Sequence, residues 1–526
     1  MRYEQDHESR QARSVSASDA VLVSSVVVGL GGARQNAAAA VCVDGQVRAV
    51  CELERITRVR RTGLNSGLSD PTLSTILRAA GDWRLAQVSR YAAAEKAIEL
   101  PPDRPNVRVD HHEAHMATAF GLSSFGAAAV LICDGHSPEA MSVWTARREG
   151  PVPVDWPRSL TGFATLYSQC CELFGLPEHE LEALARLDRG DGVERFAPLL
   201  NYRDGVIEVS PHWKTLVSDW LADAGDDVVR RAAAASAFQR RLGGLLLAVA
   251  ADVRRVTGQP HLCLGGGLFY NTYFNTLVRQ SGLFEDVFVA PNPGNAGTAV
   301  GAALVASRPD LRAPHETVSP FLGPKYDAEA IKQTLDNCKL SYECASEREV
   351  IDITIDALRR GQLVGWFQGR MEWGHRALGN RSILASPLSP WVLDNLNRFL
   401  KHRQAYRTYG VSIPEEDLPR YFDGPPASRF MEFEYTPTCR DRLSAIPPGV
   451  EKLRVQTIPD APDDDGVQRY RLLHARFGHA TGLPVLINTS FNGFSEPIVC
   501  SPRDAIRVFF GTGLDLLVLD RFVLRK

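Results

Sequence analysis

Apolar positions along the chain gather into short runs that end in glycine. Residues 21–32 (VLVSSVVVGLGG) form a Val-rich run that reads as a buried strand entering glycines. The following AAAAVCVDGQVRAVCELE reads as two more strands around an Asp44-Gly45 hairpin turn. Further on, AAAVLICDGH is a strand ending at Asp134-Gly135, residues 230–256 are an Ala-rich helical stretch, and HLCLGGGLFYN is a strand ending in three glycines. FEDVFVAPNPGNAGTAVGAAL then gives a strand, a Pro/Gly/Asn loop and a small-residue helix. Strands whose C-terminal ends carry glycine loops leading into helices predict an α/β domain that holds its ligand at those ends.

The pattern breaks at residues 307–325 (SRPDLRAPHETVSPFLGPK), where Pro and polar groups follow a helix. A second α/β domain is expected beyond, with its own strand QLVGWFQG, a long Arg/Asn-rich stretch, and a final strand LDLLVLDRFVL. The expected organisation is a flexible tail over 1–20, one domain over 21–312 and another over 319–526.

Composition narrows the class. With 526 residues, 44% hydrophobic and 23% charged, the chain has apolar material for several cores. Lys plus Arg number 59 against 62 Asp plus Glu, a net charge of −3, so no overall positive field recruits nucleic acid or anionic lipid. Ten scattered cysteines without a CxxC pair argue against a disulfide framework or a zinc finger and for a reducing compartment. The run after residue 20 is too short to span a bilayer. A cytoplasmic enzyme is expected, with no membrane or nucleic-acid partner.

Three stretches carry chemistry. In Asp110-His-His-Glu-Ala-His115, His111 and His115 lie four apart, on one face of a helix. They read either as surface or capping histidines or as two ligands of one metal, and Asp134, a carboxylate at the end of a buried strand, supplies a third. Gly266 and Gly267 end a strand where backbone N–H groups can approach phosphate, although a tight turn would use the same residues. The stretch GRMEWGHRALGNRS holds Arg370, Arg376 and Arg381 with a single acidic residue, and Asn397, Lys401, Arg403 and Arg407 follow. Solvated faces mix Lys with Glu, whereas guanidinium forks among glycines suit bidentate binding of phosphate or carboxylate. Near the end, LPVLINTSFNG is a buried strand closing on Thr489, Ser490 and Asn492.

GRMEWGHRALGNRSIL, NRFLKHRQAYR, LPVLINTSFNGFSEPIVCSPRDAI and HHEAH followed by Asp134 together resemble the O-carbamoyltransferases of the nodulation protein U and cephalosporin carbamoyltransferase family, from about residue 26 to the end. The resemblance implies an α/β fold of two parts: an N-terminal actin-like (sugar-kinase-type, two-subdomain) domain that transfers a carbamoyl group, and a C-terminal YrdC-like domain that forms carbamoyl adenylate from carbamoyl phosphate and ATP. By the same resemblance, Lys401, Arg403, Arg370 and Arg376 are the catalytic residues. Arg381, Asn380, Arg407, Ser490, Asn492, Thr489, Gly266, Gly267 and Asn271 bind substrate or nucleotide. His111, His115 and Asp134 hold a divalent metal, Fe2+ or Mg2+, and Asn295 stands where the family has a fourth ligating Asp. The implied partner is a small-molecule hydroxyl acceptor, as in antibiotic tailoring, bound by loops such as 156–167 and 211–226. The oligomeric state is left open, a homodimer among the options.

The chain departs from the family at several places: Arg34-Gln35 replaces His-Asp, Glu178-His179-Glu180 replaces Glu-Gly-Lys, His375 replaces Pro, Thr408-Tyr409 replaces Pro-Phe, and Ser495 replaces Gly. Three readings therefore stand. They are an ATP-dependent O-carbamoyltransferase, an adenylate-forming enzyme with a non-hydroxyl acceptor, and a chain whose N-terminal lobe only binds a partner.

Overall fold

The computed structural model describes residues 24–526 except 65–67, 137–138, 148–149, 158–160, 189, 308–318, 448 and 462–463. The expected tail (1–20), the start of the Val21–Leu30 run, the domain limit at 312 and most of the 307–325 linker lie outside the described residues.

Two five-stranded sheets build the N-terminal unit. The first holds β1 (Val26–Gly31), β2 (Ala38–Val43), β3 (Gln46–Glu52), β4 (Val88–Ala93) and β5 (Asn106–Arg108) in the order β3-β2-β1-β4-β5. The β2–β3 hairpin turns at Asp44 (φ 51°) and Gly45 (φ 76°), the left-handed pair that Asp-Gly favours. The second sheet holds β6 (Ala128–Cys133), β7 (Met141–Arg147), β8 (Gly150–Pro153), β11 (His261–Gly265) and β12 (Asp286–Val289) in the order β12-β11-β6-β7-β8, with a separate hairpin of β9 (Leu200–Arg203) and β10 (Val206–Val209). In each sheet three antiparallel strands are followed by two that run parallel to the first. One topology thus occurs twice, as a two-subdomain α/β architecture requires.

The His111–Gly121 and Thr298–Ser307 helices pack against each other in the core shared by the two sheets. Their backbones come so close that a Cβ on Gly301 would lie 1.8 Å from the Ala114 carbonyl oxygen, so only glycine fits there. The Ala-rich stretch is a helix over Val228–Thr257, capped by the Asp227 carboxylate.

The C-terminal unit is one mixed ten-stranded sheet. Its strands are β13 (Glu343–Cys344), β14 (Val364–Phe367), β15 (Arg381–Ala385), β16 (Gly410–Pro414), β17 (Phe422–Asp423), β18 (Glu434–Pro437), β19 (Leu453–Ile458), β20 (Leu486–Ser490), β21 (Leu516–Leu519) and β22 (Phe522–Arg525), ordered β13-β22-β21-β14-β15-β20-β16-β19-β18-β17. Alternate residues feed separate cores on its two faces: Phe367, Ile383 and Ile487 on one, Trp366, Leu384 and Leu486 on the other. Leu322 and Trp373 instead join the core of the N-terminal unit. No helix among the described residues is long and apolar enough to cross a membrane.

Candidate functional site

His111 opens its helix directly after the N-cap Asp110, whose carboxylate accepts from the backbone N–H of His112 and Glu113. One turn later His115 brings its Nε2 within 3.2 Å of His111 Nε2. Asp134, just past the end of β6, completes the group: Oδ2 lies 3.2 Å from His111 Nε2 and Oδ1 3.8 Å from His115 Nε2. Three donor atoms of a two-His, one-carboxylate set thus face one point, the arrangement that divalent iron and its neighbours take. The protonation states agree with that use. Burial pushes the His115 imidazole down to about 3, which leaves it neutral and able to ligate. Burial opposes ionisation of Asp134, but His111 and His136 bonded to it and His115 nearby hold its pKa well below the usual range.

The glycine loop serves this carboxylate. Gly267 N–H donates to Asp134 Oδ1 (3.2 Å), His136 N–H donates to Oδ2 (2.8 Å), and Gly266 lies against the Cys133 carbonyl. Gln35 Nε2 sits 3.0 Å from His136 Nε2. Asn295 is buried, and its Oδ1 finds no hydrogen-bond partner, an orphaned oxygen that a cation would satisfy. Asn271, expected to touch nucleotide, is spent on structure: Oδ1 caps the Thr272–Gln280 helix through Tyr273 N–H, and Nδ2 donates to Gln239. A cleft of about 250 Å³ is lined by Arg61, Ser168, Cys171, Glu172, Glu178 and their neighbours. No described residue of 156–167 or 211–226, expected as loops that bind the acceptor, lines it, and helices over Phe163–Phe174 and His212–Ala224 take up much of both stretches in place of loops.

In the C-terminal unit Lys401, Ser490 and Asn492 come together. Lys401 Nζ donates to the carbonyls of Ser490 (2.6 Å) and Asn492 (3.0 Å) and to Asn492 Oδ1 (2.5 Å), so its protons pin the turn after β20. Burial, with Arg403 nearby, holds the Lys401 pKa well below the ordinary lysine value. Arg403 stacks on the Tyr409 ring at 4.0 Å and donates to Asn397 Oδ1 (3.1 Å), which Tyr409 Oη also reaches (2.6 Å). Thr489 lies in β20 opposite Ile383.

Arg370, Arg376, Arg381 and Arg407, all read as anion-binding or catalytic, are held by different partners. Arg370 spends its donors on the carbonyls of Gly323, Leu322 and Arg48, bracing the two units. Arg381 is fully buried on the carbonyls of Gln368, Asn380, Pro324 and Gly369 and over the Phe367 ring, and Asn380 ties back to the Arg370 carbonyl. Glu372, the one acidic residue of the stretch, accepts from the backbone N–H of Leu378, Asn380 and Arg381 and staples the loop. That leaves Arg376 at the loop tip, which enters the N-terminal unit. Gly374 just before it (φ 105°) donates to Glu52 and accepts from Arg55, and a Cβ there would meet the Pro291 carbonyl at 2.5 Å.

The tip meets a charge network that sequence reasoning missed. Arg186 bonds Glu182 (2.5 Å) and Glu434 (2.7 Å), Thr272 Oγ1 donates within the same pair, and Arg454 NH1 is 3.6 Å from Glu182. Arg376 feels both carboxylates, yet no hydrogen bond or ion pair ties it among the described residues, and its Nε is buried without a partner. Three guanidiniums therefore share two carboxylates. Burial would raise the Glu182 carboxyl, but Arg186, Arg454 and Arg376 drag it down to about 2. Burial, with Arg376 and Arg186 alongside, pushes Arg454 well below its usual value. His179 lies within electrostatic reach of Arg376 and Arg407, and burial with those two cations lowers it to about 3. The one available signal was a charged residue on each of two facing apolar strands, Glu434 in β18 opposite Arg454 in β19.

Residues 355–526 match the family model described as carbamoyltransferase C-terminus, and residues 217–304 the one described as carbamoyltransferase N-terminus. Nodulation protein NolO of Bradyrhizobium diazoefficiens is 32% identical over 443 residues, 80% of this chain and 79% of that protein. The 3'-hydroxymethylcephem-O-carbamoyltransferase of Amycolatopsis lactamdurans is 32% identical over 271 residues, 51% of this chain and 49% of that enzyme. Among solved structures, full-length HypF in its phosphate- and nucleotide-bound form aligns with a TM-score of 0.34 at 12% identity, over 56% of each chain.

Proposed function

Because the chain belongs to the carbamoyltransferase family, we propose that it is an ATP-dependent O-carbamoyltransferase. In this reading the C-terminal unit hydrolyses carbamoyl phosphate with one water to carbamate and phosphate, and the carbamate oxygen displaces pyrophosphate from the α-phosphorus of ATP to give carbamoyl adenylate. The N-terminal unit then passes the carbamoyl group to a hydroxyl of a small natural product, which gives up its proton while AMP leaves. The printed name of the cephem relative, an O-carbamoyltransferase of a hydroxymethyl group, supports a hydroxyl acceptor.

The observation that carries the reading is the surplus of positive charge where the units meet. A guanidinium whose Nε is buried without a partner, and whose two nearby carboxylates are shared with two other arginines, leaves charge uncompensated, and an anionic substrate offsets that cost. Arg376 is that group; His179 lies within electrostatic reach of both Arg376 and Arg407, and Arg407 within reach of Arg403. Phosphate oxygens of carbamoyl phosphate and ATP would bind there, and the guanidiniums would stabilise charge developing on the leaving phosphate or pyrophosphate. Lys401 shapes this end of the site by fixing Ser490 and Asn492.

His111, His115 and Asp134, with Asn295 as a neutral oxygen, fit a divalent metal, which when bound supplies Lewis-acid polarisation of a carbonyl and orients an acceptor oxygen. Gly267 and His136 keep Asp134 ionised through two backbone N–H bonds, and the helix start keeps His111 at the mouth of the group. The test is pyrophosphate release from ATP plus carbamoyl phosphate, followed by mass spectrometry of candidate hydroxyl acceptors. Arg376→Met and Lys401→Met should each lower pyrophosphate release at least a hundredfold. No pyrophosphate release by the parent chain under any metal condition would refute the reading.

A further inference from the structure

Arg407 already has an anion. Its NH1 lies 2.9 Å from Glu180 Oε1, and Gln404 Nε2 donates to Glu180 Oε2 at 3.3 Å, with the two charged side chains 11% and 20% exposed. Glu180 sits in the first turn of the Glu178–Ala185 helix of the N-terminal unit, so the pair spans the two units. It fastens the segment 402–409, which leaves Lys401 through a left-handed His402 (φ 45°) and lays Tyr406 on the core of the N-terminal unit. Within that segment Asn397 ties Arg403 and Arg407 together, accepting from Arg403 Nε and donating to the Arg407 carbonyl. The two guanidiniums are held as neighbours, and like charges at that range need a carboxylate or a ligand between them.

We propose that Glu180 is a built-in competitor for the phosphate-bearing substrate: its carboxylate occupies Arg407 until a phosphate or pyrophosphate group displaces it. The proposal rests on the reading of Arg403 and Arg407 as an anion site. A carboxylate and a phosphate offer the same paired oxygens to a guanidinium fork, so one exchanges for the other without a new donor. Displacement frees the start of the helix but does not undock the units, because Arg186, six residues on, stays bonded to Glu434 of the C-terminal unit. Glu180 is in this sense a positioning residue that acts through Arg407. It weakens ground-state anion binding and speeds release of pyrophosphate.

Calorimetric titration with inorganic pyrophosphate tests this on the full chain. Glu180→Gln keeps the size of the side chain and removes its charge. It should bind pyrophosphate at least fivefold tighter than the parent, about 1 kcal/mol, the scale of a part-exposed ion pair. Glu180→Asp should stay within twofold of the parent. In turnover, Glu180→Gln should lower KM for carbamoyl phosphate and lower kcat with it, a split that a loss of structure alone would not produce. Equal or weaker binding by Glu180→Gln overturns the proposal while leaving the anion site standing if the parent binds pyrophosphate. Failure of both parent and Glu180→Gln to bind overturns the proposal and the anion site together.

Discussion

Removing the charge of Glu182 should unfasten the joint between the two units, and the size of the effect follows from its surroundings. Its carboxylate is 2% exposed, bonds Arg186 at 2.5 Å, accepts from Thr272 N–H and Oγ1, and lies 3.6 Å from Arg454. These partners lower its pKa from 4.5 to about 2, and at 1.36 kcal/mol per pH unit the ionised form contributes about 3 kcal/mol at neutral pH. Glu182→Gln leaves Arg186, Arg376 and Arg454 facing Glu434 alone, and breaking a buried pair costs roughly 3–5 kcal/mol. Denaturant unfolding at pH 7 should therefore show a loss of at least about 3 kcal/mol, and the melting midpoint should fall by roughly 6–12 °C. The pH dependence fixes the sign. A carboxylate with a depressed folded pKa contributes fully above its ordinary 4.5 and loses that contribution as pH falls toward 2, so the gap between parent and Glu182→Gln should shrink to about 1 kcal/mol by pH 3. Adding Arg454→Met to Glu182→Gln removes the surplus cation and should recover at least about 1 kcal/mol. A loss below about 1 kcal/mol at pH 7, or a gap that does not change with pH, would refute the picture of three guanidiniums sharing two carboxylates.

Other outcomes are equally specific. Ser495 stands at φ 57°, where the family has glycine, and Ser495→Gly should stabilise the chain by about 1 kcal/mol in denaturant unfolding. Burial lowers His474 from 6.5 to about 4 while Ser412 and the Tyr470 carbonyl hold the neutral ring. Its share of stability is thus complete above pH 6.5 and is lost as pH falls, about 1 kcal/mol by pH 5.5, and His474→Gln should flatten that slope even though it lowers stability overall. Asn295→Asp should tighten divalent-metal binding by roughly an order of magnitude in competition with a chelator, and destabilise the metal-free chain by about 2 kcal/mol because it puts a carboxylate where the side-chain oxygen is buried without a partner.

Local chemistry was legible in the sequence where one segment carries all of it. Asp44-Gly45 announced its hairpin because few other pairs tolerate two left-handed residues in a row. His111 and His115 announced a shared face because helical spacing puts them one turn apart, and Asp134 marked a strand end where a bare charge is expensive. The arginines were harder, because a guanidinium with five donors is satisfied as well by carbonyls as by phosphate. Spacing cannot tell Arg381, wrapped in four carbonyls, from Arg376, which has none. Glu372 read as a lone acid among bases, and it proves to be the loop's internal fastener. The network of Glu182, Arg186, Thr272, Glu434 and Arg454 draws on four separate stretches, and only the two facing strands hinted at it.

The place of β21 in the C-terminal sheet bears on how the chain is made. It lies between β22 and β14 in the strand order, yet residues 516–519 leave the ribosome after eighteen of the sheets' other strands, counting β9–β10 apart. Until then β14 has only β15 beside it, with Val364–Phe367 presenting an unpaired apolar edge. Both sheets of the N-terminal unit are complete some two hundred residues earlier, so synthesis should yield a finished first half tethered to an open, adhesive second half. Chaperone demand and aggregation during expression should therefore concentrate in the interval between synthesis of β14 and synthesis of β21, and a chain stopped before residue 516 should aggregate far more than one stopped before β14.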